Sequence, residues 1–566
     1  MSKYAIGLDF GTNSCRSLLV DVANGKELAT YVFPYPSGRD GVIVDPANPN
    51  LARQNPADYV KGIEATIKGV IKKAKSARKS FSSSDVIGIG VDTTGSSPMP
   101  VDALGNPLCF NAKFKKNPAA MVWLWKDHTS YAEAEQITET AAKHRPQYLA
   151  KIGGVYSSEW YWSKILHCKN TAPEVFEAAD SWVEICDWIP AVLIGELSPK
   201  KIKRSICAAG HKAMFNPAWH GLPDEDFLEI LSPGLGELRP RLYAEAHTSD
   251  NLSGRLSEEW AKTLGLSRSV AVAVGAFDAH MGAVGAGISI GTLVKIIGTS
   301  TCDIMIHPHK EKLNDIPGVC GIVDGSVMEG YYGIEAGQSG VGDIFLWFIN
   351  NLVPESYGKT QDEKFRNLEK AAAKLKVGES GLLALDWNNG NRTILVDVRL
   401  TGLLIGQTLH TTPHEIYRAL LEATAYGALA IIDRIEDYGV AISEVVNCGG
   451  LAAKSPLLMQ IYADVTGRPM KISRSDQTPA LGAALFSAVA AGKNGGGYDS
   501  TEDAKCAMTG PGKIFSPIAA NHSVYEKLYT LYHQLHDGFG TNEWNGKMYN
   551  VMKELLALRD SVRRRK

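Results

Sequence analysis

No two cysteines in this chain are spaced as C-x-x-C; the nine present are scattered and odd in number. That argues against a disulfide framework and a zinc ribbon, and suits a reducing cytosol. Net charge is nearly absent too, −2 over 566 residues, so the balance favours neither nucleic acid nor a membrane surface. The basic end, Arg563 to Lys566, reads as a solvated tail. Long apolar runs are missing. The most apolar stretch, Ala279 to Val294, is broken by glycines and bounded by Asp278 and Lys295, which argues against a membrane-spanning helix. The first residues enter a strand pattern with no signal-peptide core, which places the protein in the cytoplasm. What is present is ordinary for a globular protein: 45% hydrophobic and 21% charged residues. The length predicts roughly two to four domains.

The chain is organised around Tyr4 to Val20, Y-A-I-G-L-D-F-G-T-N-S-C-R-S-L-L-V. A half-apolar strand runs into Asp9, Gly11, Thr12 and Ser14, and a second strand follows at hairpin distance. A tight glycine turn gathers backbone N–H groups at one point and attracts phosphate oxygens. Asp9 suits such a place if a cation, Mg²⁺, lies between it and the phosphates. An ordinary buried hairpin is the bland alternative. Val294 to Met305, V-K-I-I-G-T-S-T-C-D-I-M, repeats the pattern. Two such hairpins, one opening each half, predict a duplicated unit and two domains closing on one nucleotide.

Between the hairpins, Asn55 and Pro56 start a helix over Ala57 to Lys75. A buried strand, Val86 to Val91, ends in D-T-T-G-S-S-P-M-P-V-D, and ligands of open α/β sheets bind beyond the carboxyl ends of strands. Its small polar residues, Ser96 among them, suit a sugar pocket. L-W-K-D-H (Leu124 to His128), S-S-E-W (Ser157 to Trp160) and A-G-H-K-A-M (Ala209 to Met214) set aromatics, carboxylates or a lysine together. Singly, each is as well explained by core and surface. Asp278 follows a buried strand and opens a Gly/Ala-rich helix. It is either a base that accepts a hydroxyl proton or simply an N-cap. In the second half, Glu335 precedes a glycine-rich turn that opens a helix. L-D-W-N-N-G-N-R (Leu385 to Arg392) reads as a polar loop. Thr412 to Glu415 opens a long helix by a capping box. Val445 to Ala452 is a strand running into Gly449 and Gly450, a turn that lets a flat base lie against backbone.

With these residues in place the chain resembles the FGGY carbohydrate kinases, of the sugar kinase, heat-shock ATPase and actin superfamily. The resemblance covers roughly Tyr4 to residue 545. Asp9, Gly11, Thr12, Ser14 and Arg16, with Asn13 in the same turn, match its phosphate-one motif. Gly298, Thr299 and Ser300 match phosphate-two, Gly449 and Gly450 the adenosine motif, and Asp278 the catalytic base. Arg399 to Glu422 is similar to the C-terminal signature, with Gln407 where an aliphatic residue is usual; the match around Lys164 is poorer. The resemblance implies an α/β fold of two actin-like, ribonuclease H-like domains, 1–288 and 289–550, with the ligand cleft between them and a basic tail at 551–566. It implies ATP and Mg²⁺ as cofactors, the metal held at Asp9, with Gly340 and Lys454 also at the nucleotide. Ser96, Trp125, Asp127, Lys212, Asp278 and Glu335 are the implied sugar-side residues. Glycerol kinases carry an Arg-Glu pair where Gly95 and Ser96 stand here. The remaining strings imply phosphorylation of the 5-hydroxyl of L-ribulose, in arabinose breakdown. Xylulose or D-ribulose is the alternative sugar, and an actin- or chaperone-like ATPase the alternative class. The expected partners are the sugar and ATP, not nucleic acid or membrane, with a homodimer left open.

Overall fold

A computed structural model describes residues 2–564, and each of its two seven-stranded sheets grows from one of the glycine-turn hairpins. Apolar alternation makes Tyr4–Phe10 a strand. Gly11 ends it, and Ser14–Asp21 returns antiparallel with Arg16 opposite Asp9. Lys26–Pro34 adds a third antiparallel strand. Helix Pro56–Ala77 then crosses over; the Asn55 side chain caps it, accepting from the Ala57 N–H at 3.1 Å. The next strand, Val86–Thr93, is buried throughout and lies parallel to the first, so Asp9 and Asp92 are register partners. Ala271–Ala273 continues the sheet in parallel, and Leu252–Arg255 closes it as an antiparallel edge.

The second sheet repeats that strand order in space, although here the chain reaches the last parallel strand before the antiparallel edge. Thr292–Ile297 and Thr301–Pro308 form the hairpin, and Tyr331–Ala336 adds the third antiparallel strand. Helix Pro413–Asp437, opened by the Thr412–Glu415 capping box, leads to Glu444–Cys448, parallel to the first strand. Met470–Ser473 is again parallel and Pro511–Phe515 again an antiparallel edge. The duplication expected from two short hairpins therefore extends through two whole sheets.

The sheets meet across two helices, Asp278–Gly285 from the first half and Thr478–Ala491 from the second. Alanine, valine and leucine of both helices share one buried cluster with Ala5, Leu18 and Val20 of one sheet and Val294, Ile304 and Val446 of the other. Glycine makes the crossing possible. A Cβ on Gly482 would stand 1.9 Å from the Met281 carbonyl oxygen, and one on Gly285 2.1 Å from that of Thr478. Gly7 has the same task on the first sheet, where a Cβ would lie 1.7 Å from the Ala480 oxygen.

Two expectations are corrected. Asp278 is not an N-cap, because Phe277 occupies the cap position and Asp278 is the first helical residue. The basic tail expected at 551–566 is a packed helix over most of its described part, with only Arg563 and Arg564 of the solvated end described, both exposed. Val551–Arg564 is an amphipathic helix that buries Val551, Leu555 and Val562, and Arg563 reaches Glu415 at 3.6 Å. Residues 565 and 566 lie outside the described residues. Among the described residues no helix is long and apolar enough to cross a membrane.

Candidate active site

A cavity of about 260 Å³ opens between the sheets, small enough to suit a small polar ligand. Thr12 lines it from the first hairpin, and Gly298, Thr299 and Ser300 from the second. Each turn is closed by one backbone hydrogen bond, Gly11 N to Ser14 O at 3.0 Å and Gly298 N to Ser300 O at 2.9 Å. Arg16 reaches back to Asp9 at 3.3 Å, and the Asn13 side chain turns to the Asp40 carbonyl at 2.6 Å. Gly340 lies on a turn that buttresses the second hairpin: Val341 N donates to Thr299 O at 2.8 Å and Gly342 N to Gly298 O at 3.1 Å. Beside it, Gly449 (φ +95°) sits where a Cβ would meet the Ile297 oxygen at 2.4 Å, whereas a Cβ on Gly450 would meet nothing within 4 Å. Lys454 ends the short helix that Gly450 opens. The turns of Gly340 and Gly449 thus pack against the second hairpin, with open space over Gly450.

Asp278 reaches the same cavity, and its carboxylate accepts from the Ala279 N–H at 2.7 Å. Burial, then the negative charge of Asp9, push its pKa up to about 7; Glu335 acts the same way, while Lys212 pulls it down. A carboxylate with a pKa near neutrality is poised to accept a proton. Asp9 is also raised by burial, against Arg16. Next to it, both carboxylate oxygens of Asp92 are buried without a hydrogen-bond donor. Two neighbouring carboxyl groups, one of them wholly without a donor, fit a hard divalent cation.

On the far side of the cavity the scattered strings converge. Trp125 comes from L-W-K-D-H, Glu159 from S-S-E-W, Lys212 from A-G-H-K, His280 from A-F-D-A-H and Arg392 from G-N-R. The Trp125 indole N–H donates to Thr12 Oγ1 at 3.0 Å, tying this wall to the first hairpin. Lys212 and Glu335 come from opposite halves and meet at 2.8 and 3.1 Å. Burial opposes ionisation of Glu335, but Lys212, His211 and His280 outweigh it and hold the carboxyl well below the usual carboxylate range. Burial lowers His280 to about 4 and, with His280 beside it, lowers His211 as well, so both imidazoles are neutral at pH 7. His211, His280 and Glu335 offer ligand atoms within 4.8 Å of one another, but the Lys212 ammonium already holds both Glu335 oxygens.

Ser96 and Asp127 are not brought into the cavity. The Ser96 hydroxyl is taken by Glu184, which also accepts from Ser97 N at 2.6 Å. Asp127 is fully buried and accepts from Ala52 N at 2.7 Å, the Thr129 hydroxyl at 2.5 Å, and Arg53, whose guanidinium lies 3.5 Å over the Trp123 ring. These side chains hold the wall rather than face the ligand. Lys164, lowered by burial to about 7, donates to the carbonyls of Ser96 and Leu124 at 2.7 and 2.9 Å. It thereby fixes the residues next to Gly95 and Trp125, which do line the cavity. Glu159, His280 and Arg392 are cavity residues that the sequence did not single out. Their one signal was that each is a charged or titratable member of a string already marked for other reasons.

Two like halves bring paired glycine-turn hairpins and a half-buried carboxylate onto one cavity, an arrangement that suits a two-lobed ATP-dependent sugar kinase. Residues 4–285 match the N-terminal domain, and residues 293–491 the C-terminal domain, of the FGGY family of carbohydrate kinases. The chain belongs to that family. It is 43% identical to a ribulokinase of Halalkalibacterium halodurans, over 99% of this chain and 98% of that protein. To a ribulokinase of Geobacillus thermodenitrificans it is 42% identical, with the same coverage. Among solved structures it is similar to a xylulose kinase from Rhodospirillum rubrum, with a TM-score of 0.75 at 23% identity over 95% of this chain and 100% of that one. A gluconate kinase from Lactobacillus acidophilus gives 0.75 at 18% identity, over 96% and 99%. Those two likenesses concern the fold.

Proposed function

We propose that this chain transfers the γ-phosphoryl group of ATP to the 5-hydroxyl of L-ribulose, giving L-ribulose 5-phosphate and ADP, as a step of arabinose breakdown in the cytoplasm. The observation that carries the reading is the half-buried Asp278, lining one small cavity with residues of both glycine-turn hairpins and with the Lys212–Glu335 pair. Near-complete coverage by relatives named ribulokinase supports the choice of sugar. We take residues 1–288 and 289–550 as the two domains, in line with the spans of the two family matches.

In this mechanism Gly11 and Thr12 hold the phosphates from one side and Gly298, Thr299 and Ser300 from the other, and the adenosine lies over Gly449 and Gly450. Asp9, with Asp92 beside it, would hold Mg²⁺, which would neutralise charge on the phosphates. The sugar is held by Trp125 and the Lys212–Glu335 pair with its 5-hydroxyl at Asp278. The hydroxyl oxygen forms the new bond to the γ-phosphorus, its proton passes to the Asp278 carboxylate, and the bond to the β–γ bridging oxygen breaks to leave ADP. Such transfers run through loose transition states, so positioning and electrostatics carry the rate. Closure of the halves keeps out water, which competes for the phosphoryl group.

The test is ADP release across L-ribulose, D-ribulose, L- and D-xylulose and no sugar. Turnover should be highest with L-ribulose and near background without sugar. A higher kcat/KM on another ketose would replace the sugar, and sugar-independent turnover would remove the mechanism.

A further inference from the structure

Two charged side chains in the cavity have no role so far. Glu159 comes from the first half and Arg392 from the second, and both line the same space as Asp278. Their closest approach is 3.9 Å, Arg392 Nη2 to Glu159 Oε1, beyond hydrogen-bond reach. Among the described residues neither side chain makes a hydrogen bond. His128 Nε2 stands 3.8 Å from the same Glu159 oxygen. The contrast with the neighbouring Lys212–Glu335 pair is sharp, since that pair closes at 2.8 and 3.1 Å.

We propose that Arg392 and Glu159 form a clamp for one sugar hydroxyl other than the one at Asp278, and so help to determine which sugars are accepted. The inference rests on the sugar-kinase reading above and deepens it. A guanidinium offers only donors and an ionised carboxylate only acceptors. A hydroxyl is the group that satisfies both at once: its oxygen accepts from Arg392 while its proton is donated to Glu159. The gap between the two is too long for a direct bond, and both chains face the cavity. Both residues line the cavity that Asp278 also lines, and the reacting hydroxyl is already assigned to Asp278, so the clamp takes a different one. Because the two clamp residues belong to different halves, a bridging hydroxyl also ties the halves together across the bound sugar.

The test uses the full chain, with calorimetric titration of L-ribulose in the absence of nucleotide and steady-state KM values for L-ribulose and ATP. Arg392→Met and Glu159→Gln should each weaken sugar affinity by about tenfold to hundredfold, the range for a hydrogen bond to a charged group. The KM for ATP should stay within about twofold, since neither residue lies with the nucleotide-side groups. The double variant should be little worse than the weaker single one, because both residues grip the same hydroxyl. Arg392→Lys should recover part of the loss. Unchanged sugar affinity in both single variants overturns the clamp, as does a double variant in which the two losses multiply. Should Arg392→Met fail to fold, Glu159→Gln and Arg392→Lys carry the same comparison. If the parent accepts a different ketose, the substrate reading fails alone; the clamp is then judged by the same titrations with that ketose.

Discussion

The two halves share a strand order but not a chemistry. Each contributes one helix to the crossing, and the closest backbone approach falls at Gly285 in one and Gly482 in the other. The first residue of that helix is Asp278 in the first half and Thr478 in the second. The hairpins differ in the same way. Two residues before the turn glycine stands Asp9 in one and Ile296 in the other. Duplication supplied two similar glycine turns, and the acidic residues Asp9, Asp92 and Asp278, proposed as cation site and base, come from the first half only. In the second half the corresponding interior is closed by pairing instead, with Lys295 bonded to Asp303 at 2.6 Å. A fold repeated twice therefore does not mean two sites; it makes one site from unequal sides.

The largest effect should come from exchanging the helix-opening residues. Asp278→Asn keeps size and hydrogen bonding but cannot accept a proton, so kcat should fall by about 10²–10⁴ with an unchanged melting temperature. Thr478→Val, at the matching place, should leave kcat within a few-fold. Steady-state kinetics decides, and an Asp278→Asn enzyme of near-parental kcat would remove the asymmetry at its centre.

Next is the pair that joins the halves. Lys212→Met strands the buried Glu335 charge, and breaking a buried pair costs about 3–5 kcal/mol. Denaturant melts should show a loss of that order, and Lys212→Met with Glu335→Gln should regain part of it. If the single variant melts like the parent, the pair is not a buried tie between the halves.

The pH profile gives an intermediate effect. The base works as a carboxylate, and its pKa is raised to about 7. Below that value protonated Asp278 cannot accept the sugar proton, so kcat/KM should drop about tenfold per pH unit. A profile flat down to pH 5 contradicts the assignment.

The smallest effects separate glycines of packing from glycines of the site. Gly7→Ala drives a Cβ into the Ala480 carbonyl and should cost about 1–3 kcal/mol of stability. Gly450→Ala meets open protein space, so its melt should be unchanged while the KM for ATP rises. A Gly450→Ala enzyme with a parental KM for ATP would take the nucleotide away from that turn.

Much of this was legible without coordinates, because local chemistry fixes it. Asn55–Pro56 and the Thr412–Glu415 box mark helix starts through nearest-neighbour hydrogen bonds and backbone conformation. The two hairpins were readable because a strand, a glycine turn and a strand form one contiguous unit. Asp278 stood out because a charge between two buried runs needs a reason. Ser96 and Asp127 could not be sorted from Lys212 and Trp125 in the same way. All four lie in polar strings, and only long-range partners decide which side chain faces the ligand. Asp127 is consumed by Arg53, 74 residues away, and Ser96 by Glu184, 88 residues away.

The sequence by itself determined that the chain folds as two like halves, that each presents a phosphate-type turn, and that Asp278 opens a helix after a buried strand. These follow from the period of apolar residues and from turn and cap chemistry, which act over a few residues. The tertiary structure alone decided which charges meet. Lys212 finds Glu335 and Glu159 approaches Arg392 only because glycines at 7, 285 and 482 let the two sheets close on a shared pair of helices. Electrostatic energy depends on distance and burial, and neither is set until the halves pack.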